Sequence, residues 1–151
     1  MKYLTILVIF FAMISCDSKD NSGGHGDWST SLENSLKQAK AQNKYIFALF
    51  TGSDWCPPCK KLHHDILESQ EFEQFSEEKF VKVMFDFPKK KENQLSPEMQ
   101  NYNNLKAEYF GIEGFPTVII FDSNMKEKNR WVGYNPTTVQ AMLEEYGSAL
   151  K

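Results

Sequence analysis

The cysteine pair Cys56 and Cys59 is the feature of this 151-residue chain that most restricts its fold. The run from Tyr45 to Phe50, Tyr-Ile-Phe-Ala-Leu-Phe, is continuously apolar and predicts a strand that is covered on both faces. A polar break follows, and we expect a helix to begin at Pro57. The cysteines therefore stand at a strand-to-helix junction, where two cysteines separated by two residues can close a small disulfide ring.

The rest of the chain alternates between helical and extended patterns, and its length fits one domain. Helices are expected from Thr30 to about Asn43, from Pro57 to about Leu67, around Phe72 and Phe75, from Pro97 to Gly111, and from Pro136 to about Leu150, with Ser29, Ser96 and Asn135 as N-caps. Strands are expected at Tyr45–Phe50, Phe80–Phe85, Thr117–Phe121 and Asn129–Tyr134. This order predicts an α/β fold in which a mixed central β-sheet is flanked by helices.

The position of the cysteines favours redox chemistry. Cys56 would lie at the N-terminal end of a helix, where the dipole and backbone N–H groups stabilise a thiolate, the attacking species in disulfide exchange. Cys59, one turn further along, is placed to attack the mixed disulfide and release the reduced partner. Pro57 and Pro58 have no N–H to donate to the Cys56 sulfur, whereas Cys59 has one. Because fewer donors stabilise the thiolate less, we expect a reducing or mildly oxidising couple.

Three other uses of the pair fit the residues less well. A structural disulfide would need neither the strand-to-helix turn nor the neighbouring Trp55. A zinc site could combine Cys59 with His63, which share a helix face, but this spacing matches no common zinc module. Covalent haem attachment needs a histidine directly after the second cysteine, where Lys60 stands. We therefore predict no metal, and the redox step requires no organic cofactor.

Residues 1–15 have the pattern of a signal peptide. Lys2 precedes an apolar run that ends at Ile14, well short of the ~20 residues that a spanning helix needs. A small residue followed by Cys16 resembles the lipobox of bacterial lipoproteins. That resemblance implies that Cys16 is lipidated and that residues 16–27 form a lipidated N-terminus and flexible tether. An ordinary cleaved signal peptide is the alternative, and both interpretations predict export.

Charge and cysteine content exclude two further classes. The formal net charge of −3 gives no basic footprint for nucleic acid. Three cysteines are too few for a disulfide-rich scaffold. We expect a monomer.

Two motifs give residues 28–151 a resemblance to the thioredoxin superfamily. They are Trp55-Cys56-Pro57-Pro58-Cys59-Lys60 and Gly114-Phe115-Pro116-Thr117. The resemblance implies a thioredoxin-like domain in which Cys56 and Cys59 are catalytic and Pro116 is cis and faces them. It further implies a substrate groove formed by Trp55, Pro57, Pro58, Phe115 and Pro116, with Lys60 adding positive charge.

Two shorter stretches narrow the resemblance. Phe50-Thr51-Gly52-Ser53-Asp54 and Asp86-Phe87-Pro88 resemble exported thioredoxin-like oxidoreductases of the DsbH type, which are described as reductases. This implies an enzyme on the periplasmic side of a bacterial membrane that reduces or isomerises protein disulfides. A membrane thiol-relay protein would supply its electrons, and its clients would be disulfide-containing proteins or apocytochromes.

One departure and two rival functions stay open at this point. Cytoplasmic thioredoxins carry a buried aspartate on the strand before the motif, and Tyr45 to Phe50 contains no acid. Proton transfer through water, through Asp86 or through a helix histidine is compatible with the residues. The rivals are a thioredoxin fold used as a metal or apoprotein chaperone, and a dithiol oxidase.

Overall fold

The computed structural model describes residues 27–150. Its helices and strands are α1 (Leu32–Gln42), β1 (Tyr45–Thr51), α2 (Pro57–Leu62), a π-helical turn (His63–Leu67), α3 (Gln70–Lys79), β2 (Phe80–Asp86), a 3-10 turn (Lys91–Asn93), α4 (Pro97–Tyr109), β3 (Thr117–Phe121), β4 (Glu127–Val132) and α5 (Val139–Ser148). The predicted signal peptide, Cys16 and all of the predicted tether before residue 27 lie outside the described residues. Between residues 27 and 150, no helix has the length and apolar character needed to cross a membrane.

The four strands form one mixed sheet in the order β2-β1-β3-β4. β1 runs parallel to β2, while β3 is antiparallel to both β1 and β4. The predicted α/β fold with a mixed central sheet is therefore confirmed.

The apolar run of β1 is continuous because both faces of this central strand are covered, as expected for a buried strand. Phe47 and Leu49 face a core closed by α3, α5 and the segment that follows the cysteines. Ile46, Ala48 and Phe50 face the opposite core, which α1 closes and α4 flanks. Packing on both faces fixes the position of β1, and therefore the position of the turn that follows Thr51 and leads to the cysteines.

Two helices begin later than the sequence pattern predicts. The N-cap of α1 is Ser31, whose side chain accepts from the Asn34 N–H, and not Ser29. The backbone of Ser29 instead forms an isolated parallel bridge with Val83 of β2. The N-cap of α5 is Thr138, not Asn135, and the helix starts at Val139. The buried stripe of α5 is confirmed, with Met142 and Tyr146 in the core.

The helix predicted from Pro57 to about Leu67 is present but changes its hydrogen bonding half-way. The α-helical part ends at Leu62, and a π-helical turn, His63–Leu67, follows without a break. In this turn the Glu68 N–H donates to the His63 carbonyl at 3.0 Å, a bond across five residues. Because of this change of pitch, side chains five positions apart can come into contact on this segment.

Candidate active site

The cysteine pair lies at the junction between the end of β1 and the start of α2. The N–H of Cys56 donates to the Gly52 carbonyl at 3.0 Å, which closes the turn after the strand. The Cys56 carbonyl accepts from the Lys60 N–H at 3.1 Å, which opens the helix. Cys56 and Cys59 are joined as a disulfide with a Cα–Cα distance of 5.3 Å. Each of the two residues is 3% exposed, so the disulfide is almost fully buried.

The donors around the Cys56 sulfur match the expectation from the two prolines. Cys56 is the N-cap of α2, and its Sγ accepts from the Cys59 N–H at 3.3 Å. Pro57 and Pro58 occupy the first two helical positions, where an N–H would otherwise point toward the cap. The Cys59 N–H is therefore the backbone donor that this turn offers to a sulfur at residue 56.

Trp55 is fixed beside the pair by contacts to three other parts of the chain. Its Nε1 donates to the Phe87 carbonyl at 2.7 Å, and the Lys89 Nζ lies 3.6 Å from a ring centroid. The edge-to-face contact with Phe115 spans 6.0 Å between ring centroids. Gly52 permits this position, because a Cβ there would lie 2.5 Å from Trp55 Cε2.

The loop after β2 is held against the site by Asp54. The Asp54 carboxylate accepts from the N–H groups of Lys89 and Lys90 at 3.0 and 2.8 Å, and from Asn93 Nδ2 at 3.1 Å. Burial alone would raise the pKa of Asp54, but these hydrogen bonds outweigh it and hold the pKa below its ordinary value. The Lys60 amine donates to the Asp54 carbonyl at 2.8 Å, which ties α2 to the same turn.

The second motif reaches the same surface. The Phe115–Pro116 peptide bond is cis, as the resemblance implied. The Phe115 ring stacks on Phe87 with a centroid distance of 5.0 Å while it meets the edge of Trp55. Trp55, Phe87 and Phe115 thus form an aromatic wall that begins at Trp55, the residue before Cys56.

An open cleft of about 190 Å³ lies beside Cys59. Its lining includes four residues with ionisable side chains, Lys60, His63, His64 and Glu68. Thr51, Ser53 and Met84 complete the lining. We call this space the Cys59 cleft.

Asp86, one of the groups considered for proton transfer, is occupied elsewhere. Its Oδ1 accepts from the N–H groups of Ser53 and Phe87, both at 2.9 Å, and its Oδ2 accepts from the Ser53 hydroxyl at 2.6 Å. Asp86 lines neighbouring clefts and is not part of the lining of the Cys59 cleft. Asp86 therefore stabilises the turn that precedes the cysteines through its hydrogen bonds with Ser53.

The structure brings together most of the predicted site and adds residues that the sequence reasoning missed. The contacts given above bring together five of the predicted site residues: Trp55, Cys56, Cys59, Lys60 and Phe115. The roles of Asp54, Phe87 and Lys89 were missed, because their contacts join positions more than 30 residues apart. Within residues 27–150 no group of three or more His, Cys, Asp or Glu side chains is arranged to hold a metal ion.

The fold and the site together define a thioredoxin-like protein. They combine a mixed sheet, a cysteine pair at the start of a helix, and a cis-proline motif whose aromatic residue contacts Trp55. The family model of the thioredoxin-like domain matches residues 32–147, and the chain belongs to that family.

Named relatives agree with this assignment. The disulfide bond reductase DsbH of Chlamydia pneumoniae is 36% identical over 124 residues, which are 82% of this chain and 72% of that protein. The thioredoxin-related protein DsbJ of Chlamydia pneumoniae is 27% identical over 128 residues, 84% of this chain and 36% of that protein. A solved DsbH oxidoreductase has a TM-score of 0.74 at 32% identity, and the match covers 82% of this chain and 83% of that one. Together with the cysteine pair, these relatives identify a thiol–disulfide oxidoreductase.

Proposed function

We propose that this oxidoreductase works as a reductase of protein disulfides, with Cys56 as the nucleophile and Cys59 as the resolving thiol. The observation that carries the proposal is the contact of the Cys56 sulfur with the Cys59 N–H at the first turn of α2. That N–H stabilises a thiolate at residue 56 once the disulfide is reduced. The name of the relative DsbH, a disulfide bond reductase, supports the direction.

The reaction then proceeds in two exchanges. The Cys56 thiolate attacks one sulfur of a client disulfide, a Cys56–client disulfide forms, and the other client sulfur leaves as a thiolate that takes a proton. The Cys59 thiolate next attacks the Cys56 sulfur and releases the second client sulfur. The client gains two electrons and two protons, and Cys56 and Cys59 lose them as their disulfide forms. A second dithiol protein must reduce that disulfide before the next turnover.

The groove for the client is proposed to follow the aromatic wall. Trp55 and Phe115 would lie at its sides, with the exposed Pro57 and the partly buried Pro58 at the start of α2. Pro116, which is buried, follows Phe115 in the chain. Lys60 adds a positive charge to the same end of the helix, where it favours a thiolate.

The direction of the reaction is tested by the potential of the Cys56–Cys59 couple. We expect a value well below the ~−120 mV of a strong periplasmic oxidant, and catalysis of insulin reduction by dithiothreitol. A glutathione titration read by tryptophan fluorescence measures the potential, and Cys56→Ser serves as a control without a transition. A potential near that of the strong oxidant would reassign the enzyme as an oxidase. Tight metal binding without insulin reduction would reassign it as a chaperone.

The location is proposed from the N-terminal sequence alone. Residues 1–15 would be removed as a signal peptide, Cys16 would carry lipid, and residues 16–27 would tether the domain of residues 28–151 to the periplasmic face of a membrane. Disulfide-containing proteins or apocytochromes at that surface would be the clients, and a membrane thiol-relay protein the electron donor. The matched pair of Cys16 and Cys16→Ser proteins tests this in bacterial cells. We expect only the wild-type protein to incorporate labelled fatty acid and to fractionate with the membrane. A wild-type protein that stays unlabelled and soluble would contradict the lipid anchor.

A further inference from the structure

We propose that His63, oriented by Glu68, is the base that takes the proton from the Cys59 thiol during the second exchange. The proposal rests on the two-step reaction given above and names the group that replaces the buried acid missing from β1. Cys59 is 3% exposed, so its thiol has little contact with bulk water and needs an acceptor within the protein.

His63 is the titrating group best placed for this role. It follows Cys59 by one helical turn, and its own N–H donates to the carbonyls of Cys59 and Lys60. Both residues line the Cys59 cleft. The His63 side chain is 34% exposed, so the imidazole can receive a proton from the interior and pass it to solvent.

Glu68 sets the tautomer of the histidine. The Nδ1 of His63 lies 3.1 Å from the Oε1 of Glu68. Because an ionised carboxylate only accepts hydrogen bonds, Nδ1 carries the proton and Nε2 is the basic nitrogen of the neutral ring. A carboxylate at this position also stabilises the imidazolium that forms when the proton arrives, as in other histidine bases.

The remaining charged groups of the Cys59 cleft are less suited to accept this proton. The Lys60 amine is already engaged as a donor to the Asp54 carbonyl. The His64 side chain is 83% exposed, and its Nδ1 lies 3.0 Å from Asp65. The hydrogen bond that His64 donates to the Asp65 carboxylate raises the pKa of His64, which favours its protonated form. Asp65 itself contacts His64 and Tyr134 and does not line the cleft.

The proposed step conserves atoms and charge. Nε2 of His63 takes the proton from Cys59 Sγ as Cys59 Sγ bonds to Cys56 Sγ. The bond between Cys56 and the client sulfur breaks, and the client thiolate leaves. The imidazolium then returns its proton to that thiolate or to water.

One reagent separates the two exchanges. The reduced protein is mixed with one equivalent of 5,5′-dithiobis(2-nitrobenzoate) in a stopped-flow instrument. Attack by Cys56 releases the first coloured nitrothiobenzoate, and attack by Cys59 releases the second. We expect His63→Gln to leave the first release unchanged and to slow the second by about tenfold or more at pH 6–7.

The pH profile distinguishes a base from a structural residue. At high pH hydroxide can take the thiol proton without help from a side chain, so the rates of His63→Gln and the wild type should converge there. Glu68→Gln, which disturbs only the orientation of the ring, should give a smaller loss with the same pH dependence. His64→Gln is the matched control and should follow the wild type at every pH. Added imidazole should speed the second release of His63→Ala and leave His64→Ala unchanged.

The failures are distinct. A wild-type protein without the first release would overturn the proposed function and this inference with it. A normal first release, followed by a second release that is equal in His63→Gln and His64→Gln across the pH range, would overturn this inference alone. An His63→Ala protein that does not respond to imidazole would also count against it.

Discussion

Replacing Cys56 by serine is expected to reduce insulin turnover to the rate of the buffer thiol alone. A serine hydroxyl is not ionised at neutral pH and forms no disulfide, so the first exchange has no nucleophile. The contact with the Cys59 N–H would persist but would have no thiolate to stabilise. Turnover by the insulin assay and release of nitrothiobenzoate measure the loss.

Replacing Cys59 by serine is expected to have a different result at the same low turnover. The attack by Cys56 continues, but the mixed disulfide with the client has no neighbouring thiol to resolve it. The complex should accumulate, survive non-reducing electrophoresis and identify the client by mass spectrometry. Cys16→Ser is the matched control, since it makes the same exchange at the remaining cysteine and should retain turnover of the purified protein. If instead Cys56→Ser trapped clients and Cys59→Ser did not, the two roles would have to be exchanged.

Much of the fold was predictable because its main signals are local. The apolar runs of β1 and β3 identify strands without any knowledge of their partners. Ser96 followed by Pro97 places the start of α4 correctly, because both residues act within the first turn.

The errors at the two helix starts have a common physical origin. Ser29 and Ser31 are equally good N-caps by local chemistry, and the choice falls to Ser31 because the Ser29 backbone pairs with β2. Its N–H donates to the Lys82 carbonyl at 3.0 Å, and its carbonyl accepts from Met84 at 2.9 Å. A contact between positions more than 50 residues apart leaves no trace in the neighbouring sequence.

The site divides in the same way. The cysteines and the Phe115-Pro116 pair were visible as motifs, whereas the contact of His63 with Glu68 was not. An ordinary α-helix brings together side chains three or four positions apart, and this pair is five apart. The π-helical turn supplies the extra residue, since the Glu68 N–H bonds to the His63 carbonyl.

Replacing Gly52 by alanine is expected to destabilise the protein and to lower its turnover, although residue 52 takes no part in the chemistry. The new Cβ would lie 2.5 Å from Cε2 and 2.6 Å from Nε1 of Trp55, closer than real contacts allow. The indole must move, and its hydrogen bond to Phe87 and its stacking with Lys89 would break. Overpacking of this kind costs about 1–3 kcal/mol.

The functional effect follows from the position of the indole next to Cys56. With Trp55 displaced, its contacts to Phe87 and Phe115 open, and the proposed groove loses the wall that aligns a client disulfide. Because misalignment of about 1 Å can cost up to 10²-fold in rate, we expect insulin turnover to fall about tenfold or more. Thermal unfolding and insulin turnover are the measurements, together with the shift in Trp fluorescence.

Gly147→Ala provides the matched control for this substitution. In α5 the added Cβ would lie 3.7 Å from Phe75 Cζ, an ordinary contact. Alanine is favoured over glycine inside a helix by up to about 1 kcal/mol, so this variant should keep its turnover and unfold at the same or a higher temperature. Equal turnover and equal unfolding temperatures for Gly52→Ala and Gly147→Ala would show that Trp55 can leave its place without consequence. The aromatic wall would then have no part in holding the client against Cys56.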